Sequence, residues 1–254
     1  MGSRIGRILV FIIVGCGFIS NCAQAQATAI AFSNLSATNL QVSPASGAVV
    51  FTDTFTAEAF AQGQNSLGEL VNQFDTGPLA RADAGVTWAN GYGSADGPGL
   101  RENGSTTVNL PGSGNTAASS TGQGTLSNTF MITGGSGLVL VGFAMDLSGL
   151  LGVTTDPLGQ LAQTEINFNL QVDGNPLLFE HRQLSGGPNS SLGQTVAETV
   201  TGSSLLQFNT PYFLLLQVDS ESNAINVVPE PATGILLFIG VVALFFCREE
   251  LVRR

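Results

Sequence analysis

The sequence predicts an all-β fold, an antiparallel β-sandwich of jelly-roll type, carried between an export signal and one C-terminal transmembrane helix. Three observations predict it. Apolar and polar residues alternate along many short segments, turn residues recur between these segments, and the composition is rich in Gly, Ser, Thr and Asn with only 10% charged residues. These features favour strands and turns over helices. We find no internal repeat, so residues 26–227 are expected to form one domain.

The N-terminus has the pattern of a secretory signal peptide. Two arginines precede an apolar run, 8–19, and small residues follow it. Residues 1–25 are therefore expected to direct export through the Sec translocon, and Ala23 and Ala25 mark the cleavage signature. Whatever the cleavage position, the chain beyond about residue 27 is expected to leave the cytoplasm.

The cysteines lie only in the terminal segments, at Cys16, Cys22 and Cys247. A competing interpretation takes residues 13–16 as a lipoprotein signal, in which Cys16 is lipidated and becomes the new N-terminus. If Ala25 ends the signal and the C-terminal helix is removed, the mature domain has no cysteine. A disulfide framework, a cysteine metal site and a catalytic thiol are then excluded.

The strongest strand signal lies over 165–172, where four apolar residues alternate with polar ones. Asp173-Gly174-Asn175-Pro176 supplies turn chemistry, so 177–184 is expected to return as the hairpin partner. The segment 138–145 is apolar on both faces and is expected to be a central strand. Further strands are expected over 49–59, 126–132, 195–201, 205–209 and 212–218, with 224–227 as a last short one.

Two segments lack a clear strand pattern. Residues 85–124 are rich in Gly, Ser, Asn and Thr, which predicts either long surface loops or weakly patterned edge strands. One short helix is expected over 66–74, because one helical face would carry Leu67, Leu70, Val71 and Phe74.

The domain is strongly acidic. Between Gln26 and Pro231 there are three arginines, no lysine and sixteen acidic residues, a net charge of −13. Such a surface excludes nucleic acid and anionic lipid as electrostatic partners. It suits an extracellular protein or one that collects divalent cations.

Few residues carry catalytic chemistry. His181 is the only histidine, no Gly-x-Ser-x-Gly segment accompanies it, and we expect it to be a solvent-facing strand residue. Metal sites that need several His or Cys ligands are excluded by their number. Paired glycosidase carboxylates depend on spatial geometry and stay open at this point. We therefore expect a protein that is not an enzyme and needs no cofactor or metal.

Two binding sites are worth testing against the structure. Trp88 and Tyr92 lie close together with Asn90 between them, and in a loop or at a sheet edge their rings could stack on sugars. The alternative is that Trp88 fills the core and Tyr92 covers its rim.

Calcium is the second candidate ligand. Asp residues in predicted loops offer the hard oxygen ligands that Ca²⁺ prefers, although no Asp-x-Asp-x-Asp-Gly loop is present. The alternative is that these aspartates cap turns. They are Asp83, Asp96, Asp156 and Asp173.

The C-terminus combines a short motif, an apolar segment and a basic tail. Val228-Pro229-Glu230-Pro231 precedes an uncharged run from Ala232 to Cys247, and the tail carries Arg248, Arg253 and Arg254. As a helix the run would be about 24 Å long, slightly short of a ~30 Å hydrocarbon core, a mismatch that snorkelling arginines accommodate. The arginines favour a cytoplasmic C-terminus.

This tail closely resembles the PEP-CTERM sorting signal of Gram-negative bacteria over residues 228–254. The resemblance implies recognition by a membrane-embedded exosortase, which removes the helix near Val228, Pro229, Glu230 and Pro231. It further implies an inner-membrane-anchored precursor that becomes a surface or matrix protein associated with exopolysaccharide. An ordinary permanent anchor is the alternative.

Overall fold

The computed structural model describes residues 28–97, 101–110, 115–156 and 161–226. These residues form thirteen β-strands and no helix, which confirms the predicted all-β class. The strands are β1 (Ala29–Pro44), β2 (Ala48–Phe51), β3 (Thr56–Asn65), β4 (Leu70–Gly77), β5 (Leu79–Val86), β6 (Ala89–Asp96), β7 (Arg101–Leu110), β8 (Thr116–Thr133), β9 (Leu138–Thr155), β10 (Leu161–Val172), β11 (Asn175–Gly186), β12 (Ser191–Gln207) and β13 (Pro211–Asn226).

The strands form two antiparallel sheets that pack face to face. The six-stranded sheet has the order β12-β9-β1-β7-β6-β5. The seven-stranded sheet has the order β11-β10-β13-β8-β3-β4, and β2 also pairs with β8. Side chains alternate between buried and more exposed positions along most strands, as expected when one face of each sheet covers the core.

The core between the sheets changes in thickness along the strands. Phe130, Phe143 and Phe168 are fully or almost fully buried in one part. Elsewhere the inward residues are mainly Ala, Gly, Ser and Thr. The inner face of β8 shows this change within one strand, from Ala118, Ser120 and two glycines to the large apolar residues at its end.

The thin part of the core depends on glycine. A Cβ placed on Gly93 of β6 would lie 2.0 Å from the backbone oxygen of Gln123 and 2.5 Å from that of Phe60. Likewise, a Cβ on Gly122 of β8 would lie 2.0 Å from the Tyr92 oxygen. Because no side chain fits at these distances, glycine allows the backbones of the two sheets to approach directly.

The predicted hairpin is confirmed. β10 and β11 pair antiparallel, and Asp173 and Gly174 form the two-residue turn with φ of 48° and 76°. Positive φ at both central positions is the geometry that an Asp-Gly turn provides. The expected central strand 138–145 also lies inside a sheet, since β9 is flanked by β1 and β12. Only one of its faces is covered, because Leu138 is 68% exposed.

The predicted helix over 66–74 is wrong. Asn65 Oδ1 accepts the backbone N–H groups of Leu67 and Glu69 at 3.0 and 3.2 Å, and Gly68 has a φ of 87°. This side-chain turn takes the N–H groups that would begin a helix. The chain then enters β4, which pairs with β3. Of the predicted apolar face, Val71 packs against the core, and the exposed members are Leu67, Leu70 and Phe74.

Other boundaries also differ. The strand expected over 49–59 is interrupted after β2, and β3 begins at Thr56. The two strands expected over 195–201 and 205–209 form one continuous strand, β12, which ends at Gln207. The described part of residues 85–124 contains the end of the edge strand β5, followed by β6, β7 and the first part of β8 in sheet interiors. These interior strands replace the long loops or edge strands that were expected there.

Among the described residues, no helix has the length and apolar character required to cross a bilayer. The segments 1–25 and 228–254, with the predicted signal peptide, sorting motif, membrane helix and basic tail, lie outside these residues.

Candidate functional site

A polar groove of about 390 Å³ lies on the outer face of the six-stranded sheet. This volume falls within the roughly 300–1,000 Å³ typical of small-ligand sites. Strands β1, β5, β6 and β7 supply its lining. The lining residues are Asn34, Ser36, Leu79, Arg81, Ser94, Ala95, Asp96, Arg101, Glu102 and Asn103.

The strand register brings these side chains together. Ser94 pairs with Arg81 on one side and Asn103 on the other, and Asn103 pairs with Ser36 of β1. Successive outward positions on a strand alternate with inward ones, which are alanines and glycines on β6. The groove is therefore a row of polar side chains on a thin, closely packed part of the sandwich.

Tyr92 lies next to this groove. It occupies the outward position of β6 two residues before Ser94, about 7 Å away along the strand. Its neighbours across the sheet are Asp83 and Ser105. An aromatic ring beside hydroxyl, amide and guanidinium groups supplies an apolar surface and hydrogen-bonding groups. A sugar has complementary features, a ring face and several hydroxyl groups.

Trp88 is placed differently. It lies in the two-residue turn between β5 and β6 with a φ of 76°, and its backbone oxygen accepts the Asn109 N–H at 2.8 Å. Its half-buried ring packs against a small cluster that includes Ala89, Val108 and Leu110. Trp88 thus covers the end of the sandwich, and of the predicted pair only Tyr92 borders the groove.

Glu69 holds the turn that carries Trp88. Its carboxylate accepts the Thr87 backbone N–H at 2.8 Å and the Thr87 hydroxyl at 3.1 Å, and Asn65 also donates to it. The backbone hydrogen bond from Thr87, followed by the hydroxyl and Asn65, lowers the pKa of Glu69. The turn therefore favours the ionised carboxylate.

Glu102 lies beneath the groove with an unusual environment. Its side chain is 1% exposed, and neither carboxyl oxygen has a partner with normal hydrogen-bond geometry. Burial raises the pKa of Glu102 well above its ordinary value. A hydrogen bond with the Leu126 backbone offsets part of this rise, and the negative charge of Asp219 adds to it. The protonated acid is the form that suits this site.

The outer face of the seven-stranded sheet is also polar. As predicted, His181 is exposed on β11, where Nδ1 lies 2.6 Å from Asn167 Oδ1 and the ring stacks on Phe179 with centroids 6.5 Å apart. Nearby, Glu165 of β10 lies directly opposite Glu221 of β13. The structure thus places two carboxylates on adjacent strands, a pairing that the sequence left open.

Asp219 lies on the same face as these carboxylates. Burial raises its pKa, a hydrogen bond from Gln217 at 2.9 Å and another from Gln123 lower it, and the charge of Glu165 raises it again. No serine hydroxyl is hydrogen-bonded to His181 within the described residues.

The four aspartates considered for calcium do not meet at one place. Asp83 lies in β5 and Asp96 ends β6. Asp156 accepts the Thr28 N–H and hydroxyl at 3.1 and 2.8 Å, and Asp173 accepts the Phe213 N–H at 2.7 Å. The last two aspartates therefore satisfy backbone groups at strand ends. The described ranges contain no group of three His, Cys, Asp or Glu side chains arranged for a metal ion.

Sequence reasoning missed most of the groove. Its arginines and amides come from β1, β5 and β7, and both β6 and β7 fall in the segment expected to form long loops or edge strands. One available signal was the alternation of Ala or Gly with Asn90, Tyr92, Ser94 and Asp96. That period of two is typical of a strand with one polar face.

Comparisons with protein-family models, curated proteins and solved structures gave no match to this chain.

Proposed function

We propose that this chain is an exported protein of the bacterial surface or its exopolysaccharide matrix, sorted and cleaved at its C-terminus by an exosortase. The order of Val228-Pro229-Glu230-Pro231, the apolar run and the arginines carries this proposal. The acidic, lysine-free composition of the domain suits an extracellular protein. We also propose that the two-sheet sandwich is of the jelly-roll type.

The mature protein's mass tests this sorting. In wild-type cells we expect a species that lacks the signal peptide and residues 232–254. A strain without exosortase, and a variant with Pro229→Ala and Pro231→Ala, should both retain the C-terminal helix. If the wild-type protein keeps residues 232–254, the helix is a permanent anchor and the processing proposal fails.

We further propose that the groove beside Tyr92 binds carbohydrate of the matrix. The supporting observation is the single aromatic ring next to a groove lined by hydroxyl, amide and guanidinium groups. Such a site retains the protein at the surface without covalent chemistry. The proposed role is therefore binding, not turnover.

Tyr92→Ala and Trp88→Phe form a matched pair for glycan-array binding. Stacking of a sugar on an aromatic ring contributes on the order of 1 kcal/mol, so Tyr92→Ala should weaken binding about five- to tenfold. Trp88→Phe keeps a ring at the turn, away from the groove, and should bind normally. Equal loss in both variants, or none in Tyr92→Ala, would contradict this placement of the site.

The non-enzymatic part of the proposal has its own test. Glu165 and Glu221 are the carboxylate pair that the structure offers for glycoside hydrolysis. Incubation of the exported protein with matrix polysaccharide should release no reducing ends. Release that disappears in Glu165→Gln or Glu221→Gln would show that the protein is a hydrolase.

A further inference from the structure

The groove contains an unusual concentration of positive charge for this chain. Of the arginines in the described residues, Arg182 pairs with Glu180 and lies 3.4 Å from Glu198. The other two, Arg81 and Arg101, both line the groove and are exposed. Within the described ranges neither makes an ion pair. Two guanidinium groups are therefore available to a ligand.

Their positions suit an extended ligand. Arg81 on β5 and Arg101 on β7 are separated by β6. Arg81 pairs with Ser94 and Arg101 with Asp96, so the two arginines are offset by two residues along the strands. Strand spacing and rise place their Cα atoms about 12 Å apart. Ser94 and Asp96 of the intervening strand β6 lie between them, and Asn103 pairs with Ser94 from β7. Ser94 and Asn103 donate and accept hydrogen bonds without charge. The groove thus combines charged and neutral side chains.

The acidic groups of the groove do not cancel this charge. Asp96, the acidic residue on the surface of the lining, lies opposite Arg101. Glu102 also borders the groove, but its buried carboxyl has a raised pKa and stays protonated above the pH at which an ordinary glutamate ionises. Besides the buried Glu102, the lining holds two arginines and one acidic residue, on a chain whose formal charge is −10.

We infer that the groove selects saccharides that carry carboxylate groups, such as uronic-acid polymers. This inference rests on the proposed carbohydrate-binding function and specifies its ligand class. A guanidinium group binds a carboxylate through two parallel hydrogen bonds, a geometry that a hydroxyl does not match. Ser94 and Asn103 would bind the sugar hydroxyls between the acidic groups, and Tyr92 would cover a ring face.

The overall negative charge gives this recognition a particular salt dependence. Beyond a Debye length of roughly 10 Å at 0.1 M salt, the protein repels an anionic polymer only weakly. At low salt the repulsion extends further. Binding of an acidic oligosaccharide should therefore not strengthen as salt is lowered, in contrast to a site on a basic surface.

The test compares one oligosaccharide in two forms. Oligogalacturonate and its fully methyl-esterified counterpart share the same sugar rings and differ in the carboxylate charge. Calorimetric titration of the exported protein in 0.15 M salt should show at least about tenfold tighter binding of the acid form. Arg81→Gln and Arg101→Gln should each remove about tenfold of that affinity and leave the ester form almost unchanged.

Arg182→Gln is the matched control, because it makes the same change at an ion pair outside the groove. It should alter neither affinity. Arg81→Lys should recover part of the preference, since it restores charge without the paired hydrogen bonds. Thermal unfolding of each variant checks that the exposed substitutions leave the fold intact.

The outcomes separate this inference from the function on which it rests. Equal affinity for the two forms, or arginine variants that weaken both equally, would overturn the acid selectivity while carbohydrate binding stood. Binding of neither form, with binding of a neutral glycan that needs Tyr92, would also overturn it. Failure of every glycan tested would overturn the binding function itself.

Discussion

The close approach of the two sheets can be tested at one glycine. Gly93→Ala adds a methyl group on the inner face of β6, where its carbon would lie 2.0 Å from the Gln123 oxygen and 2.5 Å from the Phe60 oxygen. Both oxygens belong to the backbone of strands in the opposite sheet. They cannot turn aside as a flexible side chain does, so the sheets must separate or the strand must shift.

The size of the effect follows from these distances. A carbon and a carbonyl oxygen approach to about 3.3 Å in sheets, so relief requires a local displacement of roughly 1.3 Å. Overpacking of this kind costs typically 1–3 kcal/mol, and contact with backbone on two strands places Gly93→Ala near the upper end. Alanine recovers about 0.5–1 kcal/mol of backbone entropy. The expected net loss in the free energy of unfolding is about 2 kcal/mol.

Gly142→Ala is the matched control. Gly142 also lies in an interior strand, β9, but its added methyl would be 3.6 Å from the Ser43 oxygen, an ordinary contact. This variant should be as stable as the wild type or more stable by up to about 1 kcal/mol.

Urea unfolding followed by the fluorescence of Trp88, the single tryptophan, gives both values. For a domain of this size, 2 kcal/mol corresponds to a fall in Tm of roughly 4–8 °C. The close packing would be refuted if Gly93→Ala were as stable as the wild type, or if Gly142→Ala lost as much.

Two further predictions concern buried polar groups. The folded state holds Glu102 protonated to a higher pH than the unfolded chain does. The contribution of Glu102 to the free energy of unfolding is therefore complete below the ordinary pKa near 4.5 and is lost as pH rises towards the raised pKa. The loss is about 1.4 kcal/mol per pH unit. Glu102→Gln should therefore gain stability relative to the wild type as pH rises above about 4.5, and a difference independent of pH would contradict this. Thr106 Oγ1 lies 2.7 Å from the hydroxyls of both Ser33 and Ser222, so Thr106→Val should cost about 1–2 kcal/mol in urea unfolding. The exposed Thr107→Val should change stability little, and an equal loss would exclude a contribution from the hydroxyl network.

Strands with large apolar residues were predictable from the sequence. The alternation over 165–172 places its apolar side chains in the core, and Asp173-Gly174 forms the turn that its residues prefer. The same reasoning failed over 66–74, because the spacing of Leu67, Leu70 and Phe74 also fits a helix. Side-chain hydrogen bonds from Asn65 and pairing with β3 decided between the two.

The candidate site was predictable only in part. The sequence singles out Tyr92 as a candidate binding residue, whereas Arg81 and Arg101 contribute only to the charge count. Their proximity depends on the register of β5, β6 and β7, which no local pattern specifies. Trp88 and Tyr92 are four residues apart, yet one closes the end of the core and the other lies on the outer face of the sheet.

The sequence by itself determined the all-β class and predicted the export and sorting segments, because alternation, turn chemistry and long apolar runs are local properties of the chain. The tertiary structure alone decided the thickness of the core and the position of the groove. In the sequence alone, the glycines at 91, 93, 122 and 124 suggest loops. In the folded protein these glycines face the backbone of the opposite sheet, and because they have no side chain the two sheets come into contact. That contact exists only between segments distant in sequence.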